Sequence, residues 1–355
     1  MKQNPFIYLR GLKHVDFTVF CVADGQKFYY DPQFNRRSPY SSGQQVKRSI
    51  IDSLTEILGV KPAPTTFYFD INKNNSMKEG EVLSECDPRY IDQLIGGWMR
   101  TPKGGKEKAV KRRSPLSISA MTPLHPLLAS LPSENISFDR SDRPNVHKVV
   151  VRNANGQELT EEQISDFLKG SDRSLYRKWI SDNNRATGLF VYDVAIDLRR
   201  LFCVSANLLE PEISPNMIEK LESEGWHRSK NVFGECLVMP KELRDKVIPA
   251  IADALIEWRI TSNQSRTFSL METLAIAISD NANTLASAIR AKLIGDDDDK
   301  VKARPIVDVN AGADVFVTLP CAKWIVTEGE KADALECAKR ELVDIMSKFD
   351  FDNQL

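Results

Sequence analysis

Residues 43–58, Gly43-Gln-Gln-Val-Lys-Arg-Ser-Ile-Ile-Asp-Ser-Leu-Thr-Glu-Ile-Leu58, place Val46, Ile50, Ile51, Leu54, Ile57 and Leu58 on one stripe of a 3.6-residue period. This predicts an amphipathic helix, with Ser41 or Ser42 positioned to accept from its free first-turn amides. Upstream, His14–Val22 alternates Val15, Phe17, Val19 and Cys21 against His14, Asp16, Thr18 and Phe20, the period of a half-buried strand. The stretch between them, Asp24–Ser42, is polar and rich in turn formers.

Downstream the chain is interrupted twice. An irregular stretch runs from Lys61 to Arg113, with Thr65–Phe69 a strand candidate, and leads into a predicted core strand at Pro115–Ala120. A second insertion spans Met121–Ala186. Within it, His147–Arg152 followed by Asn153-Ala-Asn-Gly156 predicts an extended hairpin arm. Leu189–Ile196 is the clearest strand. A helix over Lys241–Arg259 is predicted to bury Leu243, Val247, Ile251, Leu255 and Trp258, with a kink at Pro249. Leu270–Ile278 fits strand or helix by pattern alone. Beyond it the sequence predicts a helix near Thr284–Leu293, an acidic loop at Asp296–Asp299 and a strand at Val315–Leu319. A C-terminal helix is predicted to open on the capping box Thr327-x-x-Glu330.

Without the insertions the order is strand, helix, strand, strand, helix, strand. That is an α+β class, the ferredoxin-like or RRM-like arrangement of a four-stranded sheet with two helices on one face. Fold order of this kind licenses no function by itself.

A chain of 355 residues can bury one large core or two modest ones. Its 42% hydrophobic and 27% charged residues are those of a folded globular protein. Met1–Leu9 lacks the apolar run of a signal peptide, and no stretch of about 18 apolar residues could span a bilayer, so a cytoplasmic place without a membrane partner is expected. The cysteines, at 21, 86, 203, 236, 321 and 337, form no CxxC pair, and His14, His125, His147 and His227 are as dispersed. Neither a metal nor a cofactor is expected. The net charge of −1 hides its distribution: phosphates sense potential over a Debye length of ~8–10 Å, and two segments are strongly basic.

The first is Asn35-Arg36-Arg37-Ser38-Pro39-Tyr40-Ser41-Ser42-Gly43-Gln44-Gln45-Val46-Lys47-Arg48. A basic loop and small hydroxyls lead into a helix start, whose free amides and partial positive charge suit a phosphate oxygen. Gly43 allows close backbone approach, Gln44 donates from its amide, and Lys47 lies one turn in. The second is Lys103-Gly-Gly-Lys106-Glu-Lys108-Ala-Val-Lys111-Arg112-Arg113, cations on a glycine-containing loop that could follow a backbone without reading bases. On composition alone, the same residues also make an ordinary capped helix and a solvated surface loop.

Taken in order, the landmarks resemble the Cas-seven backbone family of type I CRISPR Cascade complexes, within the repeat-associated (RAMP) superfamily. Arg36-Arg37 and Ser41-Ser-Gly-Gln-Gln-Val-Lys-Arg48 resemble that family's basic loop and helix start. Asp92-Gln-Leu-Ile-Gly-Gly-Trp-Met99 resembles its Asp-(apolar)-Phe-Gly-Arg-Met segment, with Gly97 and Trp98 departing from the pattern. Ser117-Ile-Ser-Ala-Met-Thr-Pro-Leu-His125 resembles the family's return from the finger insertion, and Thr187-Gly-Leu-Phe-Val-Tyr192 the strand after the thumb. The Lys241 helix and Gln264-Ser-Arg-Thr267 resemble the second core helix and the entry to the last core strand, which makes Leu270–Ile278 a strand. Asp280–Leu355 matches nothing in the family.

The resemblance implies a non-catalytic subunit that oligomerises head-to-tail along a CRISPR guide RNA, displaces a nucleotide at regular intervals and presents the guide to a target DNA strand in antiviral defence. Other Cascade subunits are implied partners. The implied RNA-binding residues are Arg36, Arg37, Ser41, Ser42, Gly43, Gln44, Lys47, Arg48, Met99, Lys106, Lys108, Lys111, Arg112, Arg113, Gln264 and Arg266. The implied RRM-like palm is residues 1–59, 115–120 and 188–279, with a finger at 60–114, a thumb at 121–187 and a C-terminal α/β extension at 280–355. Three rivals remain. One is an RNA-cleaving relative using an aspartate among Asp16, Asp24 and Asp31. The others are a free-standing single-strand RNA binder and a metabolic enzyme on a ferredoxin-like fold.

Overall fold

The computed structural model describes residues 4–20, 25–101, 108–260, 268–295 and 301–355. The first strand, β1 (Phe6–Thr18), begins eight residues before the predicted one. Ile7, Leu9 and Val15 enter one core while Tyr8 and Leu12 meet another. Both faces are covered, so the local pattern loses its clean alternation. At Gly11 a Cβ would lie 2.2 Å from the ring of Tyr192, its cross-strand partner, so no side chain fits there. The predicted alternation also fails beyond Val15. A register shift between Val15 and Thr18 and a left-handed Phe17 (φ 41°) leave Phe17 half exposed and turn Thr18 and Phe20 inward.

The polar stretch that follows holds a hairpin, β2 (Phe28–Asp31) and β3 (Arg36–Pro39), so Arg36 and Arg37 lie on a strand and not on a loop. α1 (Gly43–Leu58) has the predicted bounds. Ser42 caps it by accepting from the Gln45 amide, and Gly59 ends it in the left-handed region (φ 63°). Next comes a hairpin of β4 (Thr65–Ile71) and β5 (Met77–Ser84), which leaves Phe67, Phe69, Ile71, Met77 and Val82 exposed. α2 (Ile91–Gly96) and the paired β6 (Trp98–Arg100) and β7 (Val110–Arg112) return to the core through Leu94, Ile95 and Trp98. Of the expected finger at 60–114, then, β4–β5 is exposed whereas the later part is packed.

Three short strands follow, β8 (Leu116–Ile118), β9 (Thr122–Pro123) and β10 (Ala129–Ser130). An arm leaves between β11 (Ser133–Asp139) and β12 (Arg177–Asn184), which pair with each other, and α3 (Glu161–Phe167) lies in the segment between them. The turn at Asn153–Gly156 is present, but its flanks make a single bridge, Arg152 to Glu158, in place of the predicted hairpin. β13 (Ala186–Asp197) pairs with β8, β9 and β10 on one side and with β1 on the other. The arm therefore starts after Pro132 rather than at Met121.

A small lobe then forms from α4 (Leu198–Leu201), β14 (Cys203–Ser205), α5 (Pro215–Ser223), β15 (His227–Asn231) and β16 (Gly234–Val238). α6 (Lys241–Glu257) buries Val247, Ile251 and Leu255 as expected, and Trp258 is buried just past its end. Leu243, however, is 42% exposed. Arg244 takes the inward position in its place, held by Asp352 at 2.6 and 2.8 Å, so only the first member of the buried stripe differs.

β17 (Thr273–Ser279) confirms a strand and pairs with β1. The expected helix at 284–293 divides into α7 (Ala282–Ala288) and β18 (Ile289–Ile294), because the next strand, β19 (Lys302–Val307), pairs with the second half. β20 (Asp314–Thr318) extends the sheet. Glu330 lies in β21 (Glu330–Lys331), and α8 (Ala334–Lys348) starts four residues later, so the predicted capping box forms no cap.

The main sheet runs β10-β13-β1-β17-β20-β21, with β8 also on β13. Among β1, β8, β13 and β17 the spatial order is fourth, first, third, second, all antiparallel. One face packs α1, α6 and α8 into the larger core. The other packs Leu12, Leu189, Val191 and Ala275 against α7, β18 and the turn around Cys321 and Ile325. Residues 280–355 thus divide: α7, β18 and the turn around Cys321 and Ile325 close the second face, while α8 packs on the first.

Candidate nucleic-acid interface

The start of α1 is locked from three directions. Ser41 and Met121 exchange both backbone hydrogen bonds at 3.0 Å, and the buried Ser41 hydroxyl donates to the Phe20 carbonyl at 3.5 Å. Gly43 packs on the end of β8, where a Cβ would meet the Ile118 carbonyl oxygen at 2.9 Å and Ser119 at 3.2 Å. The close approach foreseen at this glycine is made by the protein's own backbone. Lys47 donates to the Gly96 carbonyl at 2.8 Å, tying α1 to α2. Ser114 in turn donates to Ile95 at 2.7 Å. Gly97 (φ 78°) leaves no room for a Cβ, which would lie 2.7 Å from the Arg112 carbonyl oxygen. Gly43→Ala is therefore expected to cost about 1–3 kcal/mol of stability by overpacking against backbone, read by urea denaturation. An unaltered midpoint would show that the contact yields.

The predicted residues divide into a solvent-facing set and an internal set. Arg37, Gln44 and Arg48 are exposed around the helix start. Arg37 lies 5.1 Å from the centre of the Phe28 ring, and Arg48 pairs with Asp52 at 2.8 Å, one helical turn on. Arg36 is half-buried and donates to the Ala129 carbonyl. Met99 is 68% exposed. Lys108, Lys111 and Arg113 are exposed, with Lys108 donating to Leu209 and Lys111 paired to Glu210 at 3.1 Å.

Two of the expected RNA contacts are engaged inside the fold. Ser41 is buried as described, and Arg112 is only 3% exposed. The Arg112 guanidinium donates to the carbonyls of Arg113, Arg200 and Cys203. Burial lowers its pKa, and Glu212 partly opposes that shift. Lys47 is also lowered, first by burial and then by Arg112. Lys106, Gln264 and Arg266 lie outside the described residues.

Arg200 and Phe233, stacked at 3.7 Å beside the second basic run, escaped the sequence reading. The only local signal was the Arg199-Arg200 pair after a strong strand. Asp16 accepts from Thr187 Oγ1 at 3.2 Å and Asp31 from the Phe34 amide at 2.9 Å, while Asp24 lies outside the described residues. Among the described residues no group of three or more His, Cys, Asp or Glu could hold a metal ion, and no helix is long and apolar enough to cross a membrane.

No family model matches the chain, and no curated protein matches it. The solved structures that match at low identity include two described as follows. One, described as a CRISPR RNA-guided surveillance complex, is 10% identical over 82% of this chain and 76% of that chain, with a TM-score of 0.38. Another, described as a CRISPR RNA-guided surveillance complex, pre-nicking, is 8% identical over 97% of this chain and 88% of that chain, with a TM-score of 0.44. Likeness this remote carries no argument about function.

Proposed function

We propose that this chain is a non-catalytic, RNA-binding backbone subunit of a type I CRISPR surveillance complex, one of several copies along a guide RNA. The observation that carries the reading is convergence. The landmarks 36–48, 92–99 and 117–125 are far apart in sequence, yet they meet through the Ser41–Met121 bridge, the Gly43–Ile118 contact and the Lys47–Gly96 hydrogen bond. The strand order of β1, β8, β13 and β17 supports an RRM-like palm. An RRM stacks RNA bases on its sheet, but here both faces of the sheet are packed. RNA is therefore assigned to the rim at α1 and β3, where Arg37, Gln44 and Arg48 face solvent. Base pairing would supply sequence specificity while the protein supplies charge and shape.

The test replaces Arg37, Gln44 and Arg48 with alanine and follows single-stranded RNA binding by fluorescence anisotropy at several salt concentrations. Affinity should fall about equally for all sequences, and the log–log salt slope should flatten by roughly 0.7 for each lost phosphate contact. Unchanged affinity and slope in a folded variant would remove this rim from the interface.

A further inference from the structure

The β6–β7 pair and the small lobe face one another across a cleft of about 700 Å³. Arg112 lines it, with its Nε buried and without a hydrogen-bond partner among the described residues. Its guanidinium lies 5.6 Å from the centre of the Trp98 ring. Arg200, from the lobe, is 3.3 Å from Glu212, and Lys111 is 3.1 Å from Glu210. Arg113 is exposed and has no ion pair among the described residues. The lining thus sets four cations, Lys111, Arg112, Arg113 and Arg200, against two carboxylates, Glu210 and Glu212. A concave site with surplus positive charge is matched by an anion, to which Arg112, its Nε closed to solvent and its other nitrogens on backbone carbonyls, lends charge and not a contact.

We propose that this cleft binds a phosphate group, carried either by a free nucleotide or by a nucleic-acid strand, with Arg113 as its principal ligand at the rim. Lys111 adds charge beside it, and Arg112 supplies a fixed positive field from below. The lobe β14–β16 thereby becomes part of a binding site, which the α1 rim alone does not require. The strand-borne form rests on the RNA-binding reading, whereas the free-nucleotide form does not.

The experiment titrates the full chain with inorganic phosphate, uridine 5′-monophosphate and an RNA hexanucleotide, using calorimetry and ³¹P NMR. Saturable binding of at least one probe is expected. Arg113→Gln should weaken it about tenfold, the loss of one charge-assisted contact, and Arg113→Lys should restore most of it, with thermal melting unaltered in both. Loss confined to phosphate and nucleotide assigns the cleft to free phosphates; loss confined to the hexanucleotide assigns it to a strand. Absence of saturable binding by all three probes, or equal affinities in wild type and Arg113→Gln, overturns the proposal. If the Arg37/Gln44/Arg48 variant still loses RNA in that case, the cleft falls while the RNA-binding reading stands.

Discussion

Replacing residues 133–184 with a short Gly-Ser link is expected to convert an RNA-length-dependent ladder of oligomers into single copies on each RNA. The arm's two strands pair with each other, and the amide of Arg185 donates to the Pro132 carbonyl at 2.9 Å, so the excision points already touch. The main sheet loses none of its strands. Around the far part of the arm, Phe138, Val146 and Phe167 are 51%, 76% and 78% exposed, apolar area that this chain alone leaves in water. A reach from one copy to the next is a heterologous contact, which propagates instead of closing. Linked sites on one RNA gain about 10²–10⁴ in avidity from such contacts, so removing them should collapse the ladder rather than trim it. Native mass spectrometry on RNAs of graded length decides the matter. An intact ladder after the excision would clear the arm of the role, and a single copy of wild type on every RNA would also remove the backbone reading.

Lys13→Met is expected to abolish a rise in stability with pH that the wild-type chain shows from about neutrality into the alkaline range. Lys13 lies on the helix-covered face of β1, between Leu9 and Val15 of the larger core, where the pattern asks for an apolar residue. Its Nζ donates to Thr273 Oγ1 at 2.9 Å and lies 5.0 Å from the centre of the Trp258 ring. Burial, and then the charge of Arg259, lowers its pKa to about 7, with Glu257 opposing. The unfolded chain keeps the ordinary lysine value near 10.5. Below about 7 both states carry the proton, and the native state bears the full penalty of a buried charge. Between the two values only the unfolded state binds it, so stability rises by roughly 1.4 kcal/mol per pH unit. Above the upper value the lysine is neutral in both states and the slope ends. The stability advantage of Lys13→Met over wild type should therefore shrink steadily from pH 7 to pH 9.5 in urea titrations. A constant difference would mean that Lys13 titrates as if solvated.

Much of this fold was legible because its core elements carry their own periodicity. α1 has the bounds its apolar stripe gives, and the strands at 116–118, 186–197 and 314–318 fall where their patterns put them. What escaped depended on partners outside the segment itself. Phe6–Leu12 shows no alternation because both its faces are covered, and Ile289–Ile294 is a strand only because Lys302–Val307 pairs with it. The candidate interface was half visible. Charge and helix-start chemistry marked Arg37, Gln44 and Arg48, but sequence cannot show which basic residue turns inward. Arg112 and Arg113 are neighbours of one type with opposite fates, because Arg112, the last residue of β7, is covered by Trp98 and bonded to the Cys203 carbonyl, whereas Arg113 lies just past the strand and is exposed.

The position of β1 has a consequence for how the chain reaches its native state in a cell. β1 is central and is made before both of its neighbours, β13, ending at Asp197, and β17, ending at Ser279. At ~5–20 residues per second, β17 is completed roughly 13–52 s after β1. Through that interval Phe6–Thr18 lacks at least one of its two pairing partners, with Ile7, Leu9, Leu12 and Val15 awaiting burial. Pairings this remote in sequence also slow refolding, since the loop entropy is lost before the contacts repay it. Nascent chains stalled before residue 273 should thus present β1 to holdase chaperones, and release should coincide with the emergence of β17.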